Sequence, residues 1–303
     1  MNNISKKLDP NWITGFTDAE GCFCIGISKR HNLKTGWFIS PIFSIELHNK
    51  DIIVLEKIKL FFNCGRHSNN KNWTKFIVTD LKSINNIIIP HFEKYPLITQ
   101  KQGDFLLWKS IIELMGKKEH LNIESLMEII KIRASLNWGL SDKLKFHFPN
   151  IIKVEKPKIN LPKFINPYWF AGFFSGDGCF QIKIQENTIY KGNYHVSLTL
   201  TLGQHLKDEL LIKYLVNYFN CGTTHKFSSK NYIVFTTSKF KDIYLKIIPF
   251  FKKYNIQGIK ALDFLDFCLA ADLINNKVHL TIKGLEKIRL IKSQMNKARN
   301  IKY

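Results

Sequence analysis

The chain has 303 residues, with 45 Lys and Arg against 24 Asp and Glu, for a formal net charge of +21. A surplus that large points to a polyanionic partner, nucleic acid first, because neutralising phosphates supplies most sequence-independent affinity. No apolar run approaches the roughly 18 residues of a membrane span. The six cysteines include no C-x-x-C pair, which argues against a zinc or disulfide framework and suits buried, reduced thiols.

In chain order, the segment 1–12 has neither the apolar core of a secretory signal nor the Arg-rich amphipathic character of a transit peptide, so no import sequence is expected. The run ITGFTDAEGCF (13–23) reads as an apolar, glycine-punctuated helix that stops at Glu20, followed at once by Gly21. Residues 22–30 then alternate, with Phe23, Ile25 and Ile27 inward and Cys24, Gly26, Ser28 and Arg30 outward, as in a half-buried strand. A second strand sets Phe43, Ile45 and Leu47 against Ser40, Ser44 and Glu46. A helix at about 51–62 opens on Asp51, which suits the helix dipole. Strand-like runs near 64–78 and further helices follow, with a helical extension over roughly 99–147. Prolines at 149, 157, 162 and 167 mark a linker.

The pattern then starts again. FAGFFSGDGCF (170–180) ends its helix at Asp177, before Gly178. Phe180, Ile182 and Ile184 point inward, and Gln181, Lys183 and Gln185 outward. Next, Val196, Leu198 and Leu200 oppose His195, Ser197, Thr199 and Thr201. A helix at 207–219, strand-like runs at 222–237, and helices near 258–275 and 281–299 complete the chain. Trp12 and Trp169, Gly15 and Gly172, Glu20 and Asp177, and Cys22 and Cys179 are all 157 residues apart. HNKD (48–51) recurs as HLKD (205–208) and FNCG (62–65) at 219–222. Beyond Gly222 the offset becomes 159, pairing Pro90 with Pro249, Lys101 with Lys260 and Asp104 with Asp263.

Two copies make a pseudo-dimer rather than a solenoid. The expected fold is α+β, with two pseudo-symmetric αββαββα halves, each with a curved antiparallel sheet. The halves are expected at 1–148 and 167–303, joined by a linker at 149–166. One face of each sheet is free for a ligand. Its polar side chains are Ser, Thr, Gln, Lys and Arg rather than a Glu/Lys mixture, which suits hydrogen bonding to base edges, and a β-ribbon fits the major groove. The candidate DNA-contacting set adds Arg66, Lys75, Lys226 and Ser228 to the outward residues named above.

Gly15-x-x-x-Ala19 and Gly172-x-x-x-Gly176 put small residues on one face of each motif helix, where helix backbones can approach closely. Packing through these faces would bring Glu20 and Asp177 together. Two such carboxylates repel unless a cation or proton lies between them. Oxygen ligands without a His or Cys cluster favour Mg²⁺, which takes one or two carboxylates, waters and phosphate oxygens.

The two motifs resemble the signatures of LAGLIDADG homing endonucleases. With HNKD, HFEKYPLITQK (91–101), NWGL (137–140) and QHLKD (204–208), nearly the whole chain is similar to the monomeric, two-motif members of fungal mitochondrial introns. The resemblance implies a sequence-specific endonuclease with its sheets over the major groove of a long, nearly asymmetric duplex site. Glu20 and Asp177, helped by the carbonyls of Ala19 and Gly176, would hold two or three divalent ions. Cleavage of both strands would leave short 3′ overhangs. Family members also carry basic or polar residues around the metals; Lys101, Lys260 and Gln204 fit that role. Leu47 occupies the position matching Gln204, leaving Glu46 as a substitute. Ser175 replaces Asp18, a position that is not the metal-binding acid. An intron RNA maturase and a DNA-binding protein that no longer cuts are the alternatives. Abundant Lys, Asn, Ile and Phe reflect AT-rich codons, and with the family place the gene in a mitochondrial genome.

Overall fold

In the computed structural model, the residues described are 7–117, 122–186, 194–296 and 299. The first half starts where the Asp9 carboxylate accepts the Asn11 N–H at 2.8 Å and Pro10 sets the first helical φ, launching α1 (Pro10–Glu20). The helix runs without a loop into β1 (Gly21–Lys29), which pairs antiparallel with β2 (Trp37–His48). After a 3₁₀ turn at Asn49–Asp51 come α2 (Ile52–Phe62), β3 (Arg66–Asn69) and β4 (Trp73–Val78). The sheet order is β1-β2-β4-β3. Next, α3 covers 81–94 with a π turn at Ile84–Ile88, followed by α4 (Lys101–Gly116), α5 (Ile123–Ser135) and α6 (Asp142–His147).

The second half repeats the plan. It begins with α7 (Pro167–Asp177), capped by Asn166, and continues through β5 (Gly178–Glu186) and β6 (Tyr194–His205). Then come α8 (Glu209–Phe219), β7 (Thr223–Phe227) and β8 (Tyr232–Thr237), in the order β5-β6-β8-β7. A helical stretch α9 at 240–253 precedes α10 (Ile259–Asn275) and α11 (Ile282–Ser293). The last helix ends short of the expected 299; residues 297 and 298 of that expectation, like residues 1–6 of the expected leaderless terminus, lie outside the described residues. No described helix is long and apolar enough to cross a membrane.

The chain divides into compact units at 1–164 and 165–303. In the first, Phe23 gathers Phe43, Phe92, Phe105 and Trp108 at centroid distances of 5.2–5.3 Å. In the second, Phe180 does the same with Phe174, Phe251, Phe264 and Phe267. All ten rings are fully buried or nearly so, and aromatic packing of this kind dominates core energetics. Trp12 and Trp169 are buried and stack on Phe16 and Phe173 of their own helices.

Several repeated residues gain a physical reason. His48 Nδ1 accepts the Lys50 N–H and His205 Nδ1 that of Lys207, so each histidine caps the turn that ends its strand. Asn63 and Asn220 close their helices with φ of 51° and 47°. The linker is held rather than loose. Ser135 Oγ donates to the Val154 carbonyl, Gln100 Nε2 to that of Ile159, and Lys156 pairs with Asp104 at 2.6 Å. All six cysteines are free and half-buried rather than buried, and burial pushes the thiols of Cys22, Cys64, Cys221 and Cys268 up, the last to about 11.

Candidate active site

Glu20 and Asp177 are the last residues of α1 and α7. A carboxylate at a helix C-terminus faces the negative end of the dipole, so a nearby cation is stabilising there. The glycine after each acid is required by close approach: a Cβ on Gly21 would lie 2.4 Å from Thr17 Cγ2, and one on Gly178 2.4 Å from the Phe174 ring. Each glycine N–H bonds back to the carbonyl of residue 17 or 174, turning helix into strand at the acid.

The lysines break a local rule. Lys101 and Lys260 stand in the first turns of α4 and α10, where positive charge is unfavourable. They are directed instead at the C-terminal carbonyls of the motif helices. Lys101 Nζ donates to Thr17 O at 3.1 Å and Ala19 O at 3.2 Å; Lys260 Nζ donates to Phe174 O at 3.2 Å and Gly176 O at 2.5 Å. Each half thus sets an ammonium group against the carbonyl that immediately precedes its acid.

Asp18 delivers the first lysine. Its buried carboxylate accepts the Ile98 and Thr99 N–H groups and the Thr99 hydroxyl, while Thr99 Oγ1 accepts the Lys101 N–H. In the second half Ser175 Oγ donates to Ala171 O and accepts the Gln257 N–H. The motif's other acid is therefore a structural clamp, and serine keeps part of it.

Gln204 Nε2 donates to Asp177 at 2.5 Å. It stands at the end of β6 opposite buried Ile233, on the core side of the sheet. Leu47, its match, is buried opposite Thr74. Glu46 does not substitute for it, because strand alternation turns Glu46 to the other face, where it pairs with Lys75 at 2.7 Å. Gly15 and Gly172 are buried in mid-helix, and Ala19 and Gly176 are half-buried. Among the described residues, no three His, Cys, Asp or Glu side chains cluster as a metal cage.

On the free sheet faces, the register aligns Cys24 with Ile42, Gly26 with Ser40 and Ser28 with Phe38. It aligns Gln181 with Thr199, Lys183 with Ser197 and Gln185 with His195. Ser28, Arg30, Glu46, Arg66, Lys183 and Gln185 are exposed; Cys24, Gly26, Ser40, Lys75, Gln181, His195, Ser197 and Thr201 are half-exposed.

Three expectations are corrected. Ser44 and Thr199 are buried, at 6% and 1% exposure, because short side chains on interior strands lie below their longer neighbours. Lys226 pairs in register with buried Ile233, so it lies on the helix side of the sheet, where it bonds Glu209 of α8 at 3.1 Å. Ser228 is exposed in the 3₁₀ turn between β7 and β8. The sequence reading also missed Trp73, Tyr232 and His225, which the β2–β4, β6–β8 and β7–β8 registers put on the free faces. Burial, with the Asp177 charge near it, raises the Tyr232 phenol above its ordinary value.

The LAGLIDADG endonuclease family profile matches residues 13–112 and 170–271. "Probable intron-encoded endonuclease 2" of Neurospora crassa is 43% identical over 95% of this chain, and "Probable intron-encoded endonuclease 3" of the same fungus 35% identical over 95%. The chain spans 65% and 55% of the length of these two relatives. The structure of the LAGLIDADG homing endonuclease I-SmaMI bound to cleaved DNA superposes with a TM-score of 0.94 at 40% identity, covering 97% of this chain and 99% of that one. I-SmaMI has also been solved on uncleaved DNA with calcium ions, and as lysine-to-alanine mutants at two positions 159 residues apart. Two matched motifs, two matched sheets and a profile over both halves make this chain a member of the LAGLIDADG endonuclease family.

Proposed function

We propose that this chain is a sequence-specific DNA endonuclease that hydrolyses one phosphodiester in each strand of a long duplex site and leaves short 3′ overhangs. The observation that carries this reading is the doubled constellation of a helix-terminal acid and a lysine bonded to the carbonyl just before it. The 159-residue spacing of Lys101 and Lys260 equals that of the two lysines mutated in I-SmaMI.

The donor set fits a hard divalent cation, with Mg²⁺ the natural choice. Glu20 and Asp177 offer carboxylate oxygens, and the Ala19 and Gly176 carbonyls keep a second lone pair beyond the one each gives to lysine. With no all-protein cage among the described residues, waters and phosphate oxygens would complete the coordination of two or three ions. When bound, such ions polarise the scissile phosphate and lower the pKa of a coordinated water. The chain's own groups do the rest. Gln204 orients Asp177 through its amide. Lys101 and Lys260 hold positive charge beside the acids, where charge develops on the phosphate. The free sheet faces, with Arg30, Arg66 and Lys183 exposed, supply phosphate and base contacts.

Relatives named as intron-encoded endonucleases support an organellar, mitochondrial gene. Among the described residues, no feature favours intron RNA over duplex DNA. The test is incubation with a randomised duplex library and Mg²⁺, followed by sequencing of new ends. Ends at one long site with uniform 3′ overhangs, abolished by EDTA, are expected. Tight duplex binding without any new ends would replace the nuclease by a binding protein.

A further inference from the structure

The free faces of the two sheets carry different chemistry at matched positions. On the first, the register sets Cys24 opposite Ile42, Cys22 opposite Ser44, and Ser44 opposite Ile77. Phe23, Phe43 and Val78 alternate with these residues and are buried in the core. Cys22, Cys24, Ile42 and Ile77 therefore share the free face, where all four are half-exposed. Ser44, between Cys22 and Ile77, is only 6% exposed, which withdraws its hydroxyl from a ligand. Gly26 leaves Ile42 uncovered: a Cβ there would stand 3.6 Å from Ile42 Cδ1. Phe38, opposite Ser28, extends the apolar surface and is 47% exposed.

The internal repeat matches Cys24, Gly26, Phe38, Ile42 and Ile77 with Gln181, Lys183, His195, Thr199 and Thr236. At each of these positions the second sheet has a hydrogen-bonding side chain where the first has an apolar group or bare backbone. The charge around the apolar patch says what covers it. Arg66 lies opposite Ile77, and the Arg30 guanidinium stands 5.7 Å from the centre of the Phe38 ring. Glu46, on the same face, is neutralised by Lys75 at 2.7 Å. Such cations attract phosphates, and in the major groove the apolar partner a base pair offers is the thymine C5-methyl group.

We propose that the first sheet reads thymine through its methyl group, with Ile42 and Ile77 as specificity-determining residues and Cys24 beside them. The matched Gln181, Lys183 and Thr236 of the second sheet read bases by hydrogen bonds instead. The proposal deepens the endonuclease reading above and rests on it. Its consequence is a site whose two halves differ in kind, one depending on methyl groups and the other on donors and acceptors.

The test uses the full chain and the duplex that it recovers from the randomised library. Deoxyuridine replaces thymine throughout one half of the site, then throughout the other, which removes the methyl and keeps base pairing. Affinity is measured with Ca²⁺ in place of Mg²⁺. Substitution in one half should weaken binding about fourfold for each methyl in contact, the effect of exposing one buried methylene-sized group, and in the other half less than about twofold. In the Ile42→Thr/Ile77→Thr protein, which carries the second sheet's own residues at both positions, thymine and deoxyuridine duplexes should bind equally. Gln181→Ala should leave the methyl effect intact. Thermal unfolding shows whether each variant folds, and the wild-type deoxyuridine result stands without any of them. A methyl effect absent from both halves, equal in both, or undiminished in the folded double variant would overturn the proposal, as would a recovered site without thymine. Loss of self-association in that variant, read by sedimentation, with the methyl effect unchanged, would assign the patch to a second copy of the chain. A wild-type protein that recovers no specific duplex removes the endonuclease reading and this proposal together. A wild type that cuts its duplex but shows no methyl effect removes only the proposal.

Discussion

Replacing Lys101 or Lys260 by Met separates a helix cap from a catalytic charge. Each lysine donates two hydrogen bonds to the end of its motif helix. One carbonyl of each pair keeps a second donor, the N–H of Gly21 to Thr17 O or of Gly178 to Phe174 O. The other, on Ala19 or Gly176, is half-buried and open to rehydration. Charge-assisted bonds contribute about 1.5–3 kcal/mol, and with rehydration the net loss of stability should be about 1–2 kcal/mol. That lowers Tm by roughly 2–8 °C for a unit of this size, read by circular dichroism. As a cap alone, either lysine would then leave cleavage at 25 °C almost unchanged, since nearly all the protein stays folded. As charge beside the reacting phosphate, its loss should cost about 10²–10³ in cleavage rate. The assay is single-turnover cleavage of the selected duplex with Mg²⁺, with affinity measured in parallel under Ca²⁺. Cleavage within about threefold of wild type in both variants, at the expected fall in Tm, would refute the catalytic placement of these lysines.

His91 makes a pH prediction. Burial holds its imidazole down at about 4, and its Nε2 lies 3.2 Å from Thr14 Oγ1, which donates to the Tyr95 carbonyl. The unfolded chain takes up a proton near 6.5 while the folded chain stays neutral, so stability is full above 6.5 and falls as pH drops toward 4, by about 3 kcal/mol in all. His91→Phe, the residue at the matching Phe250, should flatten urea midpoints over that range; an unchanged slope would contradict the assignment. Asp104→Ala should cost about 1–3 kcal/mol in urea unfolding, because Asp104 is buried and accepts the Asn137 N–H while pairing with Lys156. Lys183→Ala should weaken duplex binding and reduce the salt slope by about 0.9, whereas Lys226→Ala, on the helix side of the sheet, should leave both unchanged.

The acids and lysines were legible because a 157- or 159-residue repeat selects them from a chain otherwise crowded with lysine. Strand parity told which face most side chains take, but not how deep they lie, hence Ser44 and Thr199. Lys226 was misplaced because β7 is a short edge strand whose phase is set by its pairing with β8, not by its own composition. The matching work of Asn137, the first residue of the NWGL segment, and of Asn296 was not read from the sequence. Each gives its N–H to Asp104 or Asp263 and its amide to the carbonyl of Phe23 or Phe180, with φ of 50° and 57°. Their partners lie 33 residues or more away, across helices that differ between the halves, and local pattern does not reach that far.

The most direct test of the central claim is strand-resolved cleavage of the selected duplex with Mg²⁺ by the wild-type protein, Glu20→Gln and Asp177→Asn, each first shown to bind that duplex in Ca²⁺. The account predicts cuts in both strands by the wild type, and loss of cleavage without loss of binding when either acid is neutralised. Full cutting of both strands by either variant would contradict it.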